Sequence, residues 1–292
     1  MKEGQIGVLI YTFNRIDDAK INMEIIRNVW ASNILLQDIP LVHAFNGEKE
    51  WWPEKYLEDE LIMLENTGHF TGAAELMDGG IDIFHKKYPN ISHVVVIASD
   101  TWIMKPDYLT SVIQEMEGQK KYLATCGWVD AVTKLKVWRD TATDFFIVDL
   151  KWAVKNKMFP LRYGEYLDSY SEVFHLLSMT IYLEQVVLLR FRQALVRDIG
   201  PLQSETLVDE ILIQFIYLLE EREPITVYHP IYERRMYCPI LGLIGHHDPV
   251  AKQKVLKTYP IIEGEQVRKF LFSTDLSYYN NNFIVSSFSK TK

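Results

Sequence analysis

The feature that most constrains this chain is an alternation of short apolar runs of strand length with stretches spaced for helices, between Ile6 and Thr101. Ile6 to Tyr11 is an apolar run that ends in Thr12-Phe13-Asn14-Arg15. Asp17 and Asp18 then precede Ile21, Ile25, Ile26 and Val29 at helical spacing, an acidic start that suits the positive end of a helix, with Asn14 a candidate cap. Ile39 to Phe45 closes on Asn46-Gly47, and Leu61 to Leu64 runs into Asn66 to Gly72. Helical spacing resumes from Ala73 to Phe84. His93 to Ala98 holds Val-Val-Val-Ile, the most strand-like segment, and ends at Ser99-Asp100-Thr101. Strands alternating with helices predict a mostly parallel, doubly wound α/β sheet, which binds ligands where its strands end. That rule singles out Thr12 to Arg15, Asn46-Gly47 and Ser99 to Thr101, all expected on one edge.

Composition narrows the function classes. The chain has 292 residues, 48% of them hydrophobic and 24% charged, which suits a domain with a sizeable core and an appendage. A formal net charge of −8 argues against a nucleic-acid partner, whose many phosphates demand lysine and arginine. One bound nucleotide needs no basic surface. Cys126 and Cys238, the only cysteines, give no disulfide framework. With a polar start from Met1 to Gln5 that lacks a signal-peptide pattern, they lead to the expectation of a cytoplasmic protein. Leu176 to Val196 is greasy but carries Glu184, Gln185, Arg190, Arg192 and Gln193. Each charge at a bilayer centre costs roughly 2.5 to 3.5 kcal/mol, so no transmembrane segment is expected there. A helix within 170–196, apolar on more than one stripe, must bury two faces: it packs against the sheet domain as the first expectation, pairs with a second subunit in a homodimer as the next, or covers the acceptor site. No P-loop or G-x-G-x-x-G follows the first strand, which argues against kinases and dehydrogenases.

Across roughly residues 5 to 130 the sequence resembles the nucleotide-diphospho-sugar transferases of the GT-A fold, family 2 in particular. Three stretches carry the resemblance. Thr12-Phe13-Asn14-Arg15 is similar to the family's turn after its first strand, which holds base and ribose. Thr71-Gly72-Ala73-Ala74, followed by Asp78-Gly79-Gly80-Ile81, is similar to a donor-contacting helix start, without the family's Arg and Asn. Ile97-Ala98-Ser99-Asp100-Thr101 and the following Pro106-Asp107-Tyr108-Leu109 resemble the family's acidic triplet, with Asp100 matching its last acid and Ala98 and Ser99 replacing the earlier ones.

The resemblance implies a GT-A-type, Rossmann-like α/β fold with a mixed, mostly parallel sheet, flanking helices and a helical C-terminal appendage. It divides the chain into a donor-binding part at 1–130, an acceptor-binding and helical part at 131–265 and a tail at 266–292. It also implies a glycosyltransferase that takes a sugar from a nucleotide diphosphate donor, UDP-linked as the commonest case, to a hydroxyl of a carbohydrate or other acceptor. In that chemistry positive charge grows on the anomeric carbon and negative charge on the departing diphosphate, so a Mn²⁺ or Mg²⁺ ion at the leaving group is expected. Asp100 is the expected ligand, and one of His246 and His247 is a candidate second. The lost acids leave a metal-independent variant open. Donor contacts are expected from Thr12, Phe13, Asn14, Arg15, Asn46, Gly72, Ser99, Asp100 and Thr101. Inversion, general in the family, requires a carboxylate base, for which Asp209 and Glu210 are the candidates. Trp128, Trp138, Asp144 and Asp149 fall where the family shapes its sugar pocket.

Each motif has a plainer reading. Asp100 is also a good turn residue, Asp209-Glu210 a good acidic first turn, and His246-His247-Asp248 an ordinary polar loop. Trp51-Trp52-Pro53 reads as packing. Two competing functions stand beside the transferase: a catalytically inactive nucleotide- or sugar-binding module of the same fold, and a sugar nucleotidyltransferase, whose Gly-rich basic loop is absent from Thr12 to Asp18.

Overall fold

The computed structural model describes residues 5–103, 106–130, 136–138, 143, 145–166, 183–201, 213–220, 226–227, 235–238 and 243–245. β1 (Gln5–Thr12) lies between β2 (Leu41–Phe45) and β4 (Ile91–Ala98), parallel to both, and β3 (Glu60–Met63) continues the parallel set beyond β2. On the other side of β4, β8 (Phe145–Asp149) runs antiparallel and separates it from β6 (Leu123–Asp130). The order is therefore β3-β2-β1-β4-β8-β6, with the short β7 (Lys136–Trp138) and β9 (Ile213–Glu220) also paired to β6, the latter in parallel. This is the mixed, mostly parallel Rossmann-like α/β sheet that the sequence predicted. β5 (Trp102–Ile103) leaves it to join a second sheet with β10 (Thr226–Val227), β11 (Arg235–Cys238) and β12 (Leu243–Gly245).

Period-two alternation assigns each strand residue to a face. Ile6, Val8 and Ile10 of β1 enter one apolar cluster with α1 (Ile16–Glu24) and α3 (Pro106–Gln119). Leu9 enters the other with α2 (His69–Lys87), α4 (Leu150–Lys155) and α5 (Leu183–Ile199). Each fully buried aliphatic or aromatic side chain adds about 1.5 to 3 kcal/mol. The central strands β1, β2 and β4 are buried on both faces, as parallel strands under helices are, and this explains their near-continuous apolar runs.

The helices differ from expectation in detail. Arg15, not Asn14, is the residue before α1, with no side-chain capping bond, and Asp17 and Asp18 lie inside the first turn. Beyond Glu24 the chain continues as a π-helical turn over Ile25–Val29 and a short 3-10 turn, so the apolar spacing spans three kinds of helix. In α2, Gly80 lies where a Cβ would stand 2.2 Å from Leu9 Cδ1. The Asp78-Gly79-Gly80 stretch thus serves close helix-to-strand packing in the interior of α2.

α5 bears out core packing for the 183–196 part of the 170–196 segment. Its Leu183, Val186, Val187, Phe191, Ala194 and Leu195 are consumed by the core on the α2 side, while Leu189 and Val196 are the large apolar residues it leaves exposed. Residues 170–182 lie outside the described residues. The chain beyond α5 adds strands to both sheets, which the expectation of a helical appendage did not include. No helix among the described residues is long and apolar enough to cross a membrane.

Candidate functional site

The ends of β1, β2 and β4 meet on one edge, as the parallel arrangement demands. Asn46 donates its backbone N–H to Thr12 O at 3.2 Å, and Ser99 donates to Tyr11 O at 3.2 Å, so the three turns are joined to one another. Below them His43, fully buried in β2, has Nε2 3.0 Å from Thr12 Oγ1 and its ring centre 4.3 Å from that of Trp52. Burial holds its pKa down at about 3, so it is neutral, and its Nδ1 has no partner.

The turn after β4 is held from beneath. Asn22 of α1 donates through Nδ2 to the carbonyls of Ala98, Ser99 and Thr101 at 3.2, 3.3 and 2.9 Å. Ser99, Asp100 and Thr101 are all buried. Arg15 reaches across, with Nε 3.5 Å from Asp100 Oδ2 and a terminal nitrogen 3.5 Å from Asp18 Oδ2. Two buried carboxylates thus share one guanidinium, and a cationic group already stands against Asp100. That arrangement fits a carboxylate placed to hold a cation, with Asp18 beside it. The sequence offered Asp18 only as an acidic helix start; its spacing of four from Asn22, one face of a helix turned to the end of β4, was the available signal.

Asn46 follows Val42 and Ala44 on the α2 face. It is buried, and its Oδ1 has no hydrogen-bond partner. The first turn of α2 comes right up to it: a Cβ on Gly72 would stand 2.6 Å from Asn46 Nδ2 and 3.3 Å from Asn66 Oδ1. Gly68, the residue before α2, takes φ of 116°, a conformation favourable to glycine alone, and makes no side-chain cap. Phe13 and Trp51, exposed at 44% and 43%, put their rings 6.3 Å apart on the rim, whereas Trp52 is core, bonded through Nε1 to Glu58 at 2.9 Å. Asn14 is exposed beside Phe13.

A second wall draws on the 126–150 and 170–196 stretches, through residues that the sequence did not single out. Tyr11 donates its hydroxyl to Thr143 O at 3.1 Å, and Thr143 donates its own hydroxyl to Glu184 Oε1 at 3.1 Å, while Glu184 Oε2 is buried without a partner. Thr143 lies two residues beyond Phe145, the register partner of Ile97, so this wall stands at the same edge. Tyr163 packs on Phe70 of α2 with ring centres 6.0 Å apart, and burial first, then the charge of Glu184, pushes its phenol pKa up. No motif encoded this wall, because its members come from three distant stretches.

Asp149 is elsewhere. It pairs with His93 at the opposite end of β4 and caps α4, accepting the Trp152 N–H at 2.9 Å. Trp128 and Trp138 are register partners across β6 and β7. Asp144, Asp209, Glu210, His246 and His247 lie outside the described residues. Among the described residues no three His, Cys, Asp or Glu side chains converge as a metal cage.

No family model matches the chain, and no curated protein matches it. Among solved structures, 4-diphosphocytidyl-2C-methyl-D-erythritol synthase from Anaerococcus prevotii is similar over 73% of this chain and 86% of its own, at 10% identity and a TM-score of 0.38. The fold assignment rests on the strand order above and not on so distant a likeness.

Proposed function

We propose that the crevice binds a nucleotide diphosphate sugar, UDP-linked as the first expectation, and that the protein is a glycosyltransferase. The observation that carries this reading is Asn46, a buried amide at the end of β2 whose Oδ1 is unpartnered and whose Nδ2 lies close to Gly72 in the first turn of α2. A buried acceptor left unmade costs about 1 to 3 kcal/mol, a penalty that a ligand N–H or O–H removes. A pyrimidine N–H or a ribose hydroxyl is such a donor. The exposed face of Phe13 suits a base, and stacking a base on an aromatic ring is worth about 1 to 3 kcal/mol. The Ser99 to Thr101 turn and Arg15 then lie beside the diphosphate, and Gly72 lets α2 approach it. Mn²⁺ or Mg²⁺, when bound, supplies positive charge at the leaving diphosphate, with Asp100 the carboxylate to hold it and Arg15 the group to give way.

Calorimetric titration with UDP tests the assignment. Asn46→Ala and Gly72→Ala are each expected to weaken UDP at least tenfold, about 1.4 kcal/mol, the first by removing the acceptor and the second by driving a methyl group against Asn46 Nδ2 and so displacing the amide that carries it. Unchanged affinity in both variants contradicts the reading.

A further inference from the structure

Glu184 stands out because its two carboxylate oxygens have different surroundings. Oε1 is fixed by the hydroxyl of Thr143, whose carbonyl in turn accepts Tyr11 OH from the last turn of β1. Oε2 is buried and has no partner. An oriented carboxylate with one satisfied and one open oxygen is a poor stabiliser of a fold. It is a good acceptor for a hydroxyl that arrives with a ligand. Its position agrees: Thr143 is at the strand-end edge, and Tyr163 links the wall to Phe70, two residues before the Gly72 that abuts Asn46.

We infer that Glu184 is the catalytic base of this site, the carboxylate that accepts the proton of the acceptor hydroxyl. The inference rests on the glycosyltransferase reading and assigns to an unheralded residue the role for which Asp209 and Glu210 were the candidates. As the acceptor oxygen bonds the anomeric carbon, its proton passes to Glu184 Oε2. The bond from that carbon to the diphosphate oxygen breaks, and its electron pair leaves with the diphosphate. Thr143 is a positioning residue, holding Oε1 and leaving Oε2 the unpaired oxygen.

The test uses the full chain with UDP-glucose, UDP-galactose and UDP-N-acetylglucosamine and water as acceptor, reading UDP release together with the unfolding temperature. Glu184→Gln is expected to release UDP at least tenfold more slowly and to lose the acid limb of the rate-pH profile, while still being stabilised by UDP. Its unfolding temperature without ligand should equal or exceed that of the native protein, because the amide keeps the side chain's shape and an oxygen to accept from Thr143. Glu184→Asp should keep the acid limb at reduced rate. A Glu184→Gln protein that is less stable, or that releases UDP at the native rate, overturns the assignment. So does a native protein that binds these donors and releases no UDP. Failure of the native protein to bind UDP strikes instead at the underlying reading.

Discussion

Replacing Asp78 with asparagine is expected to stabilise the protein by about 2 to 4 kcal/mol at pH 8 and by almost nothing at pH 4. Asp78 lies in the middle of α2 and accepts the Leu161 N–H at 2.6 Å. Burial raises its pKa from 3.8 to about 7, outweighing the lowering by the N–H groups of Leu161 and Arg162 and by the charge of Arg190. A carboxyl whose native pKa is raised is protonated in the folded state while the unfolded chain ionises. Its contribution is whole below the unfolded value and is lost as pH rises from about 4 to about 7. Asparagine keeps the acceptor oxygen and cannot ionise.

His43 works in the opposite sense. Burial lowers its pKa from 6.5 to about 3, so the unfolded chain takes up a proton that the folded one refuses, and stability is lost as pH falls below 6.5. His93, also lowered by burial against the pull of Asp149 and Glu117, adds in the same direction. Between pH 4 and 6.5 the Asp78 and His43 slopes offset each other in the native protein, each at most roughly 1.4 kcal/mol per pH unit. In Asp78→Asn the histidine slope stands alone. Urea denaturation at pH 4, 5.5, 7 and 8 reads both effects, and a gain that does not vary with pH contradicts the assignment to ionisation.

Asn22→Ala should destabilise the fold by about 2 to 4 kcal/mol. One amide donates to three carbonyls of the turn that carries Asp100, in a place with no access for water. Removing it leaves those acceptors unsatisfied and opens a small void. Nucleotide binding should weaken in the same variant even at temperatures where it remains folded, since the turn is then free to shift. Chemical denaturation and UDP titration check the two parts separately, and a loss under 1 kcal/mol would mean that the turn is held by other contacts.

The sheet was legible because its central strands are buried on both faces: Val94 to Ile97 is β-branched throughout, which favours a strand, and Asn46 and Ser99 to Thr101 had to fall on one edge once the strands were parallel. Helix interiors were legible through their spacing, and their ends were not, since neither α1 nor α2 uses a side-chain cap. β8 carries a strand-length apolar run of its own, Phe145 to Val148, but nothing local marks its antiparallel insertion between β4 and β6. Half of the crevice was readable in the turns after β1, β2 and β4. The Thr143, Tyr163 and Glu184 wall was not, because tertiary packing alone brings it to Tyr11. Glu184 also appears in the sequence as one of several charges in a greasy helix, with nothing to distinguish it from a solvated residue.

The central claim, that this edge is a nucleotide diphosphate site, is most directly tested by thermal unfolding of the purified protein with UDP, GDP, CDP, dTDP and AMP, each with and without Mn²⁺, repeated on Asp100→Ala. Binding to the folded state alone raises the unfolding temperature, with the logarithm of ligand concentration relative to its dissociation constant. The account predicts that one nucleoside diphosphate, UDP first, stabilises the native protein, more strongly with Mn²⁺, and that the metal-dependent part vanishes in Asp100→Ala. No shift with any of the five would contradict it.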